Sequence, residues 1–144
     1  MILSSFDSDV GGQAHSDIAP FEFGMDRARL MIWTRARSSQ VISANYVALT
    51  DPTAWYHLVY IANGPESSMW INGREQSPQR DGPKVHPAPF FGTNAAPDMR
   101  YRFGGTSIQQ NEFLRGWIAD VRIWDRPLNA EEVLHLARES EVQP

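Results

Sequence analysis

The stretch that decides the fold is residues 101–139, YRFGGTSIQQNEFLRGWIADVRIWDRPLNAEEVLHLARE. Its middle part alternates between two sets of side chains, as a β-strand requires. One set is Trp117, Ala119, Val121 and Ile123, and the other is Ile118, Asp120, Arg122 and Trp124. The first set is wholly apolar and the second is mixed. This pattern predicts a strand over Trp117–Trp124 that turns one face into the core of a two-sheet sandwich.

The end of the same stretch predicts a short helix over Asn129–Arg138. Asn129 is a favourable N-cap residue, and Glu132 follows three positions later, which completes a capping-box pattern. The apolar residues that follow form a narrow stripe of helical spacing, which we expect to cover one edge of the sandwich. A partner-binding helix is the alternative.

The rest of the chain contains short apolar runs bounded by Gly, Pro, Asn and Asp, a pattern typical of all-β domains. We predict strands at Ile2–Phe6, Phe21–Met25, Arg29–Thr34, Val41–Leu49, Trp55–Ala62, Ser68–Ile71 and Arg100–Gly104. The Trp55–Ala62 strand is apolar on both faces, so we expect it at the centre of its sheet. Asn72-Gly73 predicts a two-residue hairpin turn with positive φ at both positions.

Three stretches of the chain resemble a known family. Trp-x-His-Leu-Val at 55–59, Trp-Ile-Asn-Gly at 70–73 and Gly-Trp-Ile-Ala-Asp-Val-Arg-Ile-Trp at 116–124 occur in the order and spacing of laminin G-like domains. Arg-Pro-Leu at 126–128 and Glu-Glu-Val at 131–133 continue the match, which covers residues 55–139. The resemblance implies an all-β, two-sheet antiparallel jelly roll of the concanavalin A-like lectin/glucanase superfamily. It also implies a non-catalytic binding domain, of a kind found in secreted or cell-surface proteins.

Composition limits the partners. The 144 residues suit one domain, 1–144, and 42% hydrophobic content is enough for a core. A net charge of −4 without a basic cluster argues against nucleic acid. No apolar run reaches membrane-spanning length, and the first residues lack the pattern of a signal peptide, so the localisation stays open. The chain has no cysteine, which excludes disulfides and thiolate chemistry.

The beginning of the chain predicts self-association. The family's jelly roll has opening strands ahead of the segment that corresponds to Ile2–Phe6, and Met1 leaves no room for them. The sequence therefore resembles a jelly roll without its opening strands, which would expose a strand edge. We expect a two-fold homodimer to cover that edge. The alternative is that residues 8–19 or the proline-rich region Ser77–Met99 cover it within one chain.

Catalytic residues are not expected. The glucanases of the superfamily carry alternating acids on one strand, and the nearest counterpart here is FEFGMD, where Glu22 and Asp26 flank Gly24 in place of the middle acid. No cofactor is expected, although laminin G-like domains often bind Ca²⁺. Asp7, Asp9 and Asp120 (with Asp17 near the first two) are the candidate ligands. The alternative is that these acids form turns.

Carbohydrate is the expected ligand, and five residues are the candidates for binding it. Aromatic rings stack on sugar faces while polar neighbours bind hydroxyls. The candidates are Trp33, Trp70 and Trp124 as platforms, with Asn72 and Arg122 as polar partners; core packing is the alternative for each Trp. A protein ligand is the other hypothesis, in which Phe90 and Phe91 of the proline-rich region would be the anchors.

Overall fold

The computed structural model describes residues 2–7, 21–26, 28–35, 41–63, 66–78, 99–105 and 113–141. These residues form eight strands and one helix. The strands are β1 (Leu3–Asp7), β2 (Phe21–Asp26), β3 (Arg29–Arg35), β4 (Val41–Ala48), β5 (Leu58–Asn63), β6 (Glu66–Ile71), β7 (Arg74–Gln76) and β8 (Met99–Phe103), and the helix is α1 (Ala130–Glu141). Every strand pairing is antiparallel.

The larger sheet has five strands in the order β4-β3-β2-β1-β8. The sequence predicted all five of them within one or two residues at each end. The first strand lies between distant parts of the chain, since Leu3 is paired with Phe23 on one side and with Phe103 on the other. The alternation of this sheet therefore places apolar residues from both halves of the sequence on one face.

The smaller sheet has the order β5-β6-β7. Its tight turn is the predicted one: Asn72 has φ of 49° and Gly73 has φ of 72°, the two positive values of a turn that matches strand twist. The turn reverses the chain between Ile71 and Arg74, which are paired across it. The short strand β7 that follows was not predicted, because three polar residues carry no periodic signal.

The two sheets pack on each other through the main core. Phe23, Leu30, Ile32 and Tyr46 of the larger sheet meet Met69 of the smaller one, and all five are buried. Leu58 and Tyr60 pack against the same cluster. The rings of Phe23 and Tyr60 lie 6.4 Å apart between centroids. This is a two-sheet sandwich of the predicted class.

Helix α1 covers the outer face of the smaller sheet. The capping box is present: the Glu132 backbone N–H donates to Asn129 Oδ1 at 3.0 Å, and the Asn129 N–H donates to Glu132 Oε2 at 2.8 Å. Val133 is fully buried in a second cluster with Val59 and Leu128. The helix therefore packs on the sandwich, as predicted, but on the outer face of the smaller sheet and not at an edge.

The strand predicted at Trp117–Trp124 was wrong. The structure has no strand there, and every residue from 115 to 127 is exposed. Asp120 has φ of 50°, a left-handed conformation that interrupts an extended chain. The sequence alternates as a strand does, but no described strand is paired with this segment.

The central position predicted for the Trp55–Ala62 strand was also wrong. The strand begins at Leu58 and forms an edge of the described smaller sheet. Both its faces are covered all the same, because Leu58 and Tyr60 pack toward the larger sheet while Val59 and Ile61 pack under α1. Apolar residues on both faces indicate layers above and below a strand, not neighbours on both edges.

Candidate ligand-binding site

A groove of about 510 Å³ lies between α1 and the segment that precedes it. It combines an aromatic ring, aliphatic side chains and charged groups of both signs. Its lining residues are Arg122, Ile123, Trp124, Arg126, Leu128, Glu132, His135 and Leu136. The floor is apolar because Leu128 is buried in the second cluster and Leu136 packs against it.

Arg126 and Glu132 form the ion pair at one side of the groove. Arg126 Nη2 donates to Glu132 Oε1 at 2.7 Å and Nη1 donates to Oε2 at 3.0 Å. This two-point contact fixes the guanidinium plane. The hydrogen bonds from Arg126, followed by that from the Asn129 backbone, lower the pKa of Glu132 to about 2, and the Glu132 carboxylate raises the pKa of Arg126. Both groups are therefore charged at neutral pH.

Arg122 is held in a similar way on the other side. Its Nε and Nη2 donate to the two oxygens of Asp120 at 2.8 and 2.9 Å. Its Nη1 lies 3.8 Å from Glu139 Oε2 on α1, and His135 Nε2 lies 3.3 Å from the other oxygen of Glu139. The hydrogen bond and charge of Asp120 raise the pKa of Arg122. The ionic contact of Arg122 with Glu139 thus joins the segment before α1 to the helix.

Trp124 is the sugar-platform candidate that the structure places in the groove, and Arg122 lies with it. The other described candidates have different roles. Trp70 packs against the second cluster, and its ring N–H donates to Ser68 Oγ at 3.0 Å. Asn72 uses its Oδ1 to accept the His57 backbone N–H at 2.8 Å, so it supports the turn.

The remaining candidates cannot be placed. Trp33 lies in β3 and Asp7 in β1, but their side chains are outside the described part of the structure, as are residues Asp9, Phe90 and Phe91. Asp120 contacts Arg122. Within the described residues, no group of three or more His, Asp or Glu side chains could hold a metal ion. The Ca²⁺ hypothesis therefore stays a prediction.

The sequence did not single out Arg126, His135 or Leu136 as part of a site. Arg126 comes from a coil and the other two come from one turn of α1, and only the packing of α1 brings them together. Glu132 in the first turn of α1 was an available signal, because acidic residues are favoured there, but no sequence pattern pointed to Arg126 as its partner.

No helix in the described part of the chain has the length and apolarity needed to cross a bilayer.

A two-sheet antiparallel sandwich closed by one short helix, with an open groove beside that helix, defines a domain of the concanavalin A-like class.

Comparison with known families agrees with the fold. A laminin G-like family model, described as the Concanavalin A-like lectin/glucanases superfamily, matches residues 3–134. The chain belongs to this superfamily, in which laminin G-like domains are generally non-catalytic binding modules that often bind carbohydrate.

Two further comparisons were made. A search of curated proteins found no match. Among solved structures, the chain is similar to an S-layer domain-containing protein (residues 221–444) from Clostridium thermocellum, with 18% identity and a TM-score of 0.47. The match covers 92% of this chain and 60% of that one, so the chain spans less than two thirds of that structure's length.

Proposed function

We propose that this chain is a single, non-catalytic domain that binds carbohydrate, and that the groove beside α1 is its site. The observation that carries the proposal is the position of Trp124, whose half-exposed ring lies in an open groove with Arg126 and Glu132. An aromatic face can pack on the C–H surface of a sugar ring. The fixed guanidinium and carboxylate groups supply donors and acceptors for hydroxyls.

The charge arrangement favours a neutral ligand over a charged one. Arg126 is neutralised by Glu132, and Arg122 is neutralised by Asp120. A strongly anionic ligand would have to compete with these two-point contacts, each of which is charge-assisted. A neutral sugar can use the remaining N–H groups and lone pairs without breaking either pair. We therefore expect neutral hexoses to bind better than sulfated or uronic sugars.

Binding to a glycan array and titration calorimetry of the best hit test this function. Trp124→Ala should abolish binding or weaken it by at least about tenfold, since a stacked ring contributes on the order of 1.4 kcal/mol or more. Trp55→Ala is the matched control, because Trp55 is exposed but lies outside the groove. An array with no hit, or equal losses in both variants, would contradict the proposal.

The same array read in Ca²⁺ and in EDTA tests the metal hypothesis for Asp7, Asp9 and Asp120. We expect binding to be the same in both. A hit that needs Ca²⁺ and is lost in Asp120→Asn would instead support these acids as metal ligands.

A protein ligand is the second candidate function. The observation that favours it is the exposure of Trp117, Val121 and Ile123 on one segment, because exposed apolar patches mark interaction surfaces. Phe90 and Phe91 stay the anchors that the sequence predicts for such a ligand. The proposal also includes self-association as a two-fold homodimer, for which light scattering should give twice 16.3 kDa.

A further inference from the structure

The segment Gly116–Trp124 has the alternating sequence of a strand, but it is paired with no described strand. Among the described residues, no backbone hydrogen bond joins residues 115–128 to any other part of the chain. The nearest such bonds are from Leu114 to Gly104 on one side and within the start of α1 on the other. A side-chain contact joins the segment to α1, where Arg122 Nη1 lies 3.8 Å from Glu139 Oε2.

The exposure of its side chains follows the strand alternation. Trp117, Val121 and Ile123 are 86%, 50% and 68% exposed. On the other face, Ile118 and Trp124 are 37% and 39% exposed. The apolar residues of the first face are therefore the more exposed ones, although Ile123 lines the groove together with Arg122 and Trp124 of the second face. Three large apolar residues in solvent are a surface that a partner is expected to cover.

We infer that Gly116–Trp124 pairs antiparallel with the same segment of a second copy of this chain, across a two-fold axis at Val121. This inference rests on the proposed self-association but not on carbohydrate binding. It assigns the surface and the register of the dimer. In this register each residue lies opposite the partner residue that is equally far from Val121 on the other side.

Charge complementarity fixes the register. With Val121 opposite its own copy, Asp120 lies opposite Arg122 of the partner subunit, and the same pair repeats on the other side of the axis. Opposite charges placed directly across two strands attract, and like charges repel. A shift of the axis by one residue, to Asp120 or to Arg122, would place two like charges against each other.

Apolar residues also match in this register. Ala119 lies opposite Ile123 of the partner subunit on the exposed face, and Trp117 lies diagonal to the same residue. On the other face, Ile118 lies opposite Trp124 of the partner subunit. Opposite and diagonal neighbours on one face of an antiparallel pair are in contact, so the apolar side chains on the face of Trp117, Val121 and Ile123 would cover one another.

Three of the four described edge strands offer no such match. Strands β4 and β5 contain no charged residue, and β8 contains arginines but no acid, so their self-pairing would have no opposite charges to set a register. The fourth edge strand, β7, contains Arg74 and Glu75, but it has only three residues and all of them are polar, so its self-pairing would cover no apolar side chain. A symmetric contact needs a self-complementary surface, and Gly116–Trp124 has one in its own sequence.

The sequences of the longer remaining segments do not suit them to pair with it from within the chain. Residues 79–98 contain four prolines, which remove backbone donors. Residues 8–20 contain two glycines and two aspartates, and residues 106–112 are mostly polar, so neither has the composition of a strand. A second copy is the partner that the chain's own sequence fits.

Asp120 has φ of 50°, a left-handed conformation that Asp tolerates but that is not part of a regular strand. Pairing would bring Asp120 to extended backbone and exchange its contact with the neighbouring Arg122 for one with Arg122 of the partner subunit. Asp120 and Arg122 therefore contact each other within one chain while the segment is unpaired, and contact each other between the two chains in the dimer.

A charge-swap experiment tests the pairing. Asp120→Arg and Arg122→Asp each place like charges across the axis, so each variant alone should be monomeric by light scattering, near 16.3 kDa. Mixed one to one, they should form a heterodimer, because every cross-strand position again holds opposite charges. Native mass spectrometry identifies that species, and circular dichroism checks that both variants fold. Single variants that stay dimeric, or a mixture that stays monomeric, would overturn the inference.

A cross-linking experiment tests the register independently. The chain has no cysteine, so Val121→Cys introduces a single thiol on the axis, opposite its own copy. Mild oxidation should give a disulfide-linked dimer. Ala119→Cys is the matched control on the same exposed face: its copy lies four positions along the partner strand, about 13 Å away, so it should not cross-link. Equal cross-linking of both variants, or of neither, would overturn the register, even if the wild-type chain is a dimer.

Discussion

His57 and Asn72 bind each other through two hydrogen bonds of 2.8 Å. The His57 backbone N–H donates to Asn72 Oδ1, and the Asn72 backbone N–H donates to the His57 carbonyl oxygen. The pair joins the residue just before β5 to the first residue of the β6–β7 turn. The side chain of one residue thus aligns two strands at the end of the smaller sheet.

Replacing Asn72 should therefore lower stability. Asn72→Ala removes the acceptor, which should cost about 0.5–1.5 kcal/mol of stability. It also places a residue that has a Cβ but no polar side chain at a positive φ, which should cost about 1–2 kcal/mol. We expect a total loss of about 1.5–3.5 kcal/mol in urea unfolding. Asn72→Asp keeps an acceptor and tolerates the same φ, so it should lose less; equal losses would contradict this account.

Gly73 and Gly104 form a matched pair for backbone strain. Both have positive φ, 72° and 79°. A Cβ at Gly73 would lie 3.2 Å from Ala137 Cβ and Leu134 Cδ2, while a Cβ at Gly104 meets nothing within 4 Å. Gly104→Ala should cost about 1 kcal/mol from conformation. Gly73→Ala should cost clearly more, because α1 must also move; thermal unfolding compares them, and the reverse order would refute the packing argument.

The core between the sheets depends on Met69. Its side chain is fully buried in the cluster with Phe23 and Leu30. Met69→Ala should destabilise the domain by about 2–5 kcal/mol, through lost contacts and a cavity. Met25→Ala is the control of the same residue type, because Met25 is exposed, and it should cost less than about 1 kcal/mol. Urea denaturation of both variants provides the measurement.

The N-cap residue Asn129 should contribute to the stability of α1. Asn129→Ala should lose about 0.5–2 kcal/mol, since the Glu132 N–H loses its acceptor. Asn129→Ser keeps a side-chain oxygen and should recover most of that loss. Unfolding followed by circular dichroism at 222 nm compares the two. An alanine variant as stable as the wild type would mean that packing alone holds the helix.

The stability should depend on pH through His57. Burial is the main cause that lowers the pKa of His57 from 6.5; Asp120 raises it and Arg122 lowers it further. Its buried Nδ1 also has no hydrogen-bond partner among the described residues. Folding therefore favours the neutral ring. The stability that this provides is complete above the unfolded pKa and is lost as pH falls through 6.5 to the folded pKa.

Urea midpoints at pH 7.5 and pH 5 measure this effect. The wild-type midpoint should fall at the lower pH, and His57→Gln should reduce the fall. His135→Gln is the control for the loss of a histidine elsewhere, because His135 is exposed on α1, and it should not reduce the fall. A fall that is unchanged in His57→Gln would assign the pH dependence to other groups.

Local chemistry made most of the fold predictable. The positive φ values at Asn72-Gly73 and the capping box of Asn129 and Glu132 depend on neighbouring residues, so sequence patterns find them. The state of Trp117–Trp124 depends on whether a second strand lies beside it. Alternation reports which side chains share a face, but not whether the backbone has a partner. The sequence therefore predicted a strand where the structure has an unpaired segment.

The site was partly predictable for the same reason. Trp124 and Arg122 stood out because a Trp and an Arg on a mixed strand face are typical of binding surfaces. Arg126, His135 and Leu136 join them only through the packing of α1 onto the smaller sheet. Trp70 looked equivalent to Trp124 in the sequence, but it packs under the helix because β6 is covered on that face.

The spacing of Asp120 and Arg122 also bears on fibril formation. An eight-residue stretch with two Trp and three β-branched residues has the composition that promotes cross-β aggregation. In a parallel, in-register stack, each Asp120 would lie on Asp120 of the next layer, and each Arg122 on Arg122, about 4.8 Å apart. Such ladders of like charge oppose fibril growth. Asp120 and Arg122 therefore favour a dimer of two chains and disfavour the open-ended stacking of chains in a fibril.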